Sequence, residues 1–571
     1  MRNHYEAQLR LFEKGFEVYY KRFKAAGAEH AAEYFQNPML DYHETSLDVF
    51  LASHAARGYY YPDTKYTGDE FLLDTAIGLF ERYRKSIHSD GSTDLRQTNF
   101  HDPAQVGFIV RDHISVIDLV SRFSHHSEKE ERLFALLLDI LKVHGEAMVN
   151  LGFHTPNHRW VISSALSIAY KYTGDKRFLD TINRFLMEGV DCDEYGEYTE
   201  RSTGVYNLIC NKSFIVLGTF LGDESFFVYP VRNMKLMLSY FEPDNTICSL
   251  NSSRQDKNMR RPANIYYHIF AFLALQQKDP VFAWYADKML EADEMKSALG
   301  EAAGNSEILD MLLAKPDIID NYRDIEPQPP CADRDIFLPN SGIARCYRQN
   351  GNMTVTVIKQ RQPVFLQLQY GAHVVQLRFA GAFFGDPHSQ FRATEIIKTE
   401  KGYRLVDDEL AGYRSQLDEK PETSDWHRMD HSRRKIINIQ EFCTAMDIEI
   451  LDDGIALEIE SSSCEGILTK LETVFEPGGR YDTEDTAAIT RAGDYVLLKK
   501  GGASYTFADH ASFMLDGGFY AHSYAKDMRG AAPTDQSGFT VVMTASTPQK
   551  NRLEIRIGRD GYRKFACGDA K

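Results

Sequence analysis

The chain has 571 residues, 43% hydrophobic and 26% charged, a balance that excludes a disordered or fibrous protein and gives length for two large domains. Acidic residues outnumber basic ones 82 to 65, a formal net charge of −17, which argues against nucleic acid as the main partner. The 31 Tyr and 35 Phe stand against 3 Trp, an aromatic surplus that suits packed helices and ring-lined clefts, with core packing as its first use.

Residues 1–23 are charged throughout and lack an apolar stretch of signal-peptide length. No run of about 18 apolar residues occurs in the sequence, so no membrane association is expected. The eight Cys are scattered, at positions 192, 210, 248, 331, 346, 443, 464 and 567, with no CxxC pair. That usage fits reduced thiols in a cytoplasmic protein better than a zinc ribbon or a secreted disulfide scaffold. The oligomeric state is open, a homodimer being one option.

Up to about residue 325 the apolar residues recur at helical spacing, as in 133–151, 159–172 and 207–221. Short breaks at 172–176, 241–245 and 277–280 separate these runs. YTGDE (66–70) and YTGDK (172–176) nearly repeat, each between helical segments, as a repeated helical hairpin would. The segment 324–335 reads as a linker. Beyond it, 353–360, 364–371, 447–463, 505–515, 539–546 and 553–558 alternate apolar and polar residues and are rich in Val, Ile, Thr and Phe. The periodicity therefore predicts an α+β multidomain chain: a helical domain over 1–325, a linker over 326–338 and an antiparallel β-sandwich over 339–571.

Polar residues gather at four places. HTPNHRW (154–160) brings His154, Asn157, His158 and Arg159 together just before an apolar helix, where helix capping is the competing use. DEYGEYTERSTGVYN (193–207) holds Asp193, Glu194, Glu197 and Glu200 ahead of Tyr206, and its acidity also complements a helix N-terminus. A long break at 90–108 carries Gln97, Asn99, His101 and Asp102, and LNSSRQDKNMRRP (250–262) forms a basic island with Arg254, Lys257, Arg260 and Arg261. Gln97, Asn99 and His101 are candidate sugar contacts, with a solvated loop as the alternative. The basic island suits carboxylates along an acidic glycan.

The Asn–His–Arg–Trp helix start followed by the acidic turn before Tyr206 resembles the heparinase II/III-like polysaccharide lyases and their alginate-lyase relatives. Asn157, His158, Glu200, Ser202 and Tyr206 stand at the matching positions. QYGAHVVQLRFAGAFFGD (369–386) resembles that family's G-x-H-x-H-x-D segment with His373 at the first His, and HSRRKIINI (431–439) looks like its H-x-R strand. The resemblance implies an (α/α) toroid, an incomplete helical barrel, followed by antiparallel sheets contributing to the site. It also implies cleavage of uronate-containing oligo- or polysaccharides with Tyr206 and His373 as acid–base groups. Where the family has a second His for a structural metal, Val375 stands here. His388, Asp386, His427 and His431 have no compelling ligand spacing, so neither metal nor cofactor is expected.

Elimination from a uronate requires removal of the C5 proton, which the neighbouring carboxylate opposes unless its charge is neutralised. Asn157, His158 and Arg159 offer an amide, an imidazole and a guanidinium for that task. A tyrosine base needs positive charge nearby, and Arg159 and Arg201 are the candidates. Glu200 and Ser202 are read as orienting the turn. Arg159, Arg201, Glu200, Arg254 and Arg261 are carried as substrate contacts. Two other readings compete: a glycoside hydrolase on the same toroid using paired carboxylates from Asp102, Asp193, Glu194, Glu197 or Glu200, and an inactive carbohydrate-binding protein.

Overall fold

The computed structural model describes residues 1–27, 35–37, 39, 42–301, 304–359, 362–519 and 528–559. It divides into two compact units, one of residues 1–240 and 247–330, the other of 241–246 and 331–571. Cys567 lies outside the described residues.

In the first unit the described helices are α1 (His4–Ala26), α2 (Thr45–Tyr60), α3 (Glu70–Ser86), α4 (Pro103–Asp112), α5 (Ile117–Phe123), α6 (Glu128–Asn150), α7 (Pro156–Thr173), α8 (Lys176–Met187), α9 (Tyr206–Leu221), α10 (Val228–Met237), α11 (Tyr267–Gln277), α12 (Pro280–Ala298) and α13 (Ser306–Ala314). Two burial patterns alternate among them. Every residue of α7 from 160 to 169, of α9 from 210 to 218 and of α11 from 267 to 275 is buried, which marks inner helices. The intervening α8 buries only Phe178, Thr181 and Ile182, the single stripe of an outer helix. Inner α7 packs against both α4 and α9, and outer α8 packs on α7. This is the two-layered arrangement of an incomplete (α/α) toroid.

The near-repeat YTGD is a helix-to-helix turn used twice. Gly68 and Gly174 adopt positive φ of 76° and 69°, where a side chain would be strained. Asp69 and Asp175 then cap α3 and α8 by accepting from Phe71 N and Arg177 N. The break at 90–108 differs from the expected loop: Thr93–Leu95 (β1) and Asn99–Asp102 (β2) form an antiparallel hairpin, and Asp102 caps α4 through Ala104 N. Its alternating polar residues left too short a period to register as strands.

The second unit is a β-sandwich of one eight-stranded and one nine-stranded sheet. Leu366, Leu368, Val375, Leu377 and Phe379 of the first meet Leu457, Ile459, Phe513, Leu515 and Ile555 of the second in one core. Pairing is antiparallel except between Tyr495–Leu497 and Thr540–Val542, which run parallel. On the other face of the eight-stranded sheet Arg345, fully buried, makes two bonds of 2.8 and 2.9 Å to the Glu242 carboxylate. Thr354 also donates to Glu242, at 2.7 Å. A buried pair of this kind is costly to break from one side, because the surviving charge keeps no adequate partner. Arg345→Met is expected to lower the unfolding free energy by about 3–5 kcal/mol in denaturant titration, whereas Arg348→Met, at an exposed ion pair with Asp335, changes it by less than about 1 kcal/mol.

Candidate active site

The N-terminal ends of α4, α7 and α9 carry the polar residues singled out in the first unit. Pro156 starts α7 and places Asn157 in its first turn, fully buried. The Asn157 amide donates to Thr155 Oγ1 at 2.9 Å and to Glu200 Oε2 at 2.8 Å. Its Oδ1 accepts no hydrogen bond among the described residues. Burial raises the Glu200 carboxyl above its ordinary value, opposed by the Asn157 bond and by Arg254, whose Nε lies 3.4 Å from Glu200 Oε1.

Tyr206 is the first residue of α9. Its phenol oxygen accepts from Gln255 Nε2 at 2.7 Å and from Arg254 at 3.4 Å, and the Arg254 guanidinium lies 4.7 Å from the ring centre. Donors and a cation on that oxygen stabilise negative charge there. Arg254 thus links Glu200, and through it Asn157, to the Tyr206 ring. The sequence pointed to Arg159 and Arg201 for this charge. Arg159 instead pairs with Glu188 at 3.0 Å and Asp191 at 3.2 Å and lies over Trp160, which holds it as a structural cation. Arg201, at a positive φ of 48°, presents a buried Nε with no hydrogen-bond partner among the described residues. Burial, with the Arg201 charge adding to it, lowers Lys257 below the ordinary lysine value.

The positions of both loops depend on Asp256, which the sequence reading passed over among its basic neighbours. This buried carboxylate accepts from Ser202 Oγ at 2.9 Å, Gly204 N at 2.9 Å and Ser252 Oγ at 2.6 Å. Ser202 Oγ in turn accepts from Tyr206 N at 3.0 Å. Gly204 suits this approach, since a Cβ there would lie 3.0 Å from Asp256 Oδ2 and 3.3 Å from Arg261 Cδ, so that both side chains would have to give way slightly. Gln255 was missed as well; its signal was its place in the loop, next to the arginine that was chosen.

His158 packs edge-on against Phe108 of α4, and its Nδ1 accepts weakly from His154 N at 3.4 Å, which leaves the proton on Nε2. Burial pushes this imidazole down to about 4, against the opposing charge of Asp102. Asn99 donates to Asp102 at 2.8 Å, Gln97 lies at the β1–β2 turn, and His101 bonds Asp90 at 2.7 Å. The carboxylates proposed for hydrolysis have other partners: Glu197 receives the Tyr240 hydroxyl at 2.6 Å, Asp193 accepts from Tyr195 N and Glu197 N, and Asp102 caps α4.

In the second unit His373 begins the strand His373–Gly381. Its ring stacks on Phe507 at 3.7 Å, with Nε2 3.1 Å from Asp509 and Nδ1 3.5 Å from Glu476. His388 bonds Glu409, Asp386 lies by Arg392, His427 N donates to Asp425, and His431 bonds the Trp426 carbonyl. The HSR segment is a 3-10 turn, and the strand starts after it at Ile436.

The architecture is that of the polysaccharide lyases with a toroid followed by sheets. Three solved structures illustrate the likeness: a heparan sulfate lyase from Pedobacter heparinus (TM-score 0.52, 11% identity, 91% of this chain and 78% of that one), the heparinase III BT4657 gene product (0.57, 11%, 97% and 84%), and a chondroitin AC lyase from Streptomyces coelicolor A3 (0.52, 10%, 100% and 85%). In sequence the chain matches no protein-family profile and no curated protein.

Two measurements check this geometry. Asp256→Ala strips partners from Gly204 N and two serine hydroxyls, and is expected to destabilise the protein by about 2–3 kcal/mol in chemical unfolding. The His158 imidazole is expected to titrate near 4 by NMR, against 6.5 for the free side chain. The unfolded chain then binds the extra proton between those values, so this residue makes stability rise with pH across the window and adds no slope above it.

Proposed function

We propose that the chain is a lyase that cleaves uronate-containing oligo- or polysaccharides by β-elimination. The observation that carries the reading is the Tyr206 phenol, with the Arg254 and Gln255 donors on its oxygen and a contact path through Glu200 to the buried Asn157 amide. The likeness in fold to a heparan sulfate lyase, a heparinase III and a chondroitin AC lyase supports it.

In the reaction a base removes the C5 proton, the electron pair forms the C4–C5 double bond, and the C4–O bond breaks with its pair leaving on oxygen. An acid then protonates that oxygen. Tyr206, at the N-terminus of α9, is the proposed acid–base group of the helical unit; His373, polarised by Asp509 and Glu476, is the second candidate. Asn157 and neutral His158 Nε2–H donate to the uronate carboxylate. One Asn157 N–H is held only by the Thr155 hydroxyl, a weaker acceptor that a carboxylate displaces. Arg201 and Lys257 hold a further anionic group of the glycan, with Arg261 following Lys257 in the chain. Hydrolysis is the weaker reading, because Glu197, Asp193 and Asp102 are already committed to internal donors.

A panel of uronate glycans followed by ultraviolet absorbance of the 4,5-unsaturated product tests the proposal. New reducing ends without that absorbance would establish hydrolysis; binding with neither signal would establish an inactive receptor. Tyr206→Phe is expected to lower kcat/KM at least about 100-fold with the fold retained, and His373→Ala similarly. Asn157→Ala should lower kcat more than it raises KM, since the carboxylate charge grows towards the transition state. Lys257→Ala should do the reverse, raising KM with kcat nearly unchanged.

A further inference from the structure

The β1–β2 hairpin carries a second constellation, which glycan cleavage does not require. One ligand atom from each of His88, Asp94 and His101 lies within 4.8 Å of the other two. His88 Nε2 is 2.9 Å from Asp94 Oδ1, and the His88 and His101 rings stack with centres 4.2 Å apart. The chain reaches this arrangement against its own preference, since His101 has a positive φ of 49°. The Asp94 carboxylate anchors that turn by accepting from His101 N at 2.9 Å. On its other side His101 Nδ1 bonds Asp90 Oδ2 at 2.7 Å, and Asp90 is itself fixed by Ser92 Oγ at 2.6 Å.

We infer that His88, Asp94 and His101 bind a divalent transition-metal ion of the zinc or cobalt type, with Asp90 as the group that orients His101. Two imidazoles and one carboxylate are the donor set such ions prefer, whereas magnesium and calcium prefer oxygen alone. A shell with bonds of about 2.1 Å sets neighbouring ligand atoms about 3.0–3.4 Å apart, so the 2.9 Å His88–Asp94 separation needs little adjustment, and all three ligand atoms already lie within 4.8 Å of one another. The carboxylate on His101 Nδ1 fixes the tautomer and leaves Nε2 to the metal, the usual outer-shell arrangement for a histidine ligand. Three protein ligands leave at least one position for water. The ion would clamp the hairpin that ends in Asp102, the cap of α4, and a cavity lined by Tyr42, His43, Ser86 and Arg96 opens on the His88 and Asp94 side.

The test uses the untagged full chain, stripped with chelator and titrated with Co²⁺ and then Zn²⁺. A visible ligand-field band that saturates at one Co²⁺ per chain and is displaced by Zn²⁺ is expected, with no binding heat from Mg²⁺ at the same concentration. Asp90→Asn should weaken Zn²⁺ binding by about 10-fold or more, and His101→Ala, at an exposed side chain, should remove the band while circular dichroism stays unchanged. No Co²⁺ band and no Zn²⁺ heat in the parent chain, equal binding of Mg²⁺, or unaltered Zn²⁺ affinity in His101→Ala would overturn the inference and leave the cluster as two ordinary histidine–aspartate pairs.

Discussion

The placement of Tyr206 depends on one buried carboxylate. Asp256 lies in the loop before α11, yet its oxygens take up a backbone N–H and two hydroxyls, two of the three from the turn that starts α9. An ionised carboxylate without such donors would not tolerate the interior. Satisfied by them, it forces the two loops into one body, and the phenol of one comes to rest under the arginine and glutamine of the other. The Arg254 and Gln255 contacts to Tyr206 follow from that arrangement.

The charges fall into two kinds. Arg159 and Arg345 are cations with tight carboxylate partners and serve the fold. Arg201 and Lys257 press on each other, and Arg254 divides itself between a carboxylate with raised proton affinity and an aromatic ring. On a chain of net charge −17 the second kind forms a local basic patch.

The division into helical and sheet-forming halves was legible because a 3.6-residue and a 2-residue period are hard to confuse over long runs. Inner and outer helices were also readable in retrospect, since α11 is apolar around its whole circumference and α8 on one stripe. The β1–β2 hairpin was not legible, being short and polar on both faces. Nor was the pairing of Asp256 with the Ser202–Gly204 turn, which joins residues about fifty apart through contacts that leave no periodic trace. Arg159 and Arg254 show the same limit: identical side chains, both beside candidate residues in sequence, were separated only by which carboxylates the fold brought to them. The acidic turn misled in the opposite direction, since its Glu197 serves Tyr240 from the interior.

The twice-used YTGD turn has a further consequence. In α7 the turn that closes the hairpin and the residues of the proposed site sit at opposite ends of 18 residues, about 27 Å apart. These two hairpins are therefore secured at one end by left-handed glycines and aspartate caps, while the loops at the other end are held by side-chain contacts, those of Asp256 among them. In a scaffold so divided, one edge is fixed by backbone geometry, and the other can vary only where Asp256 and its donors are kept.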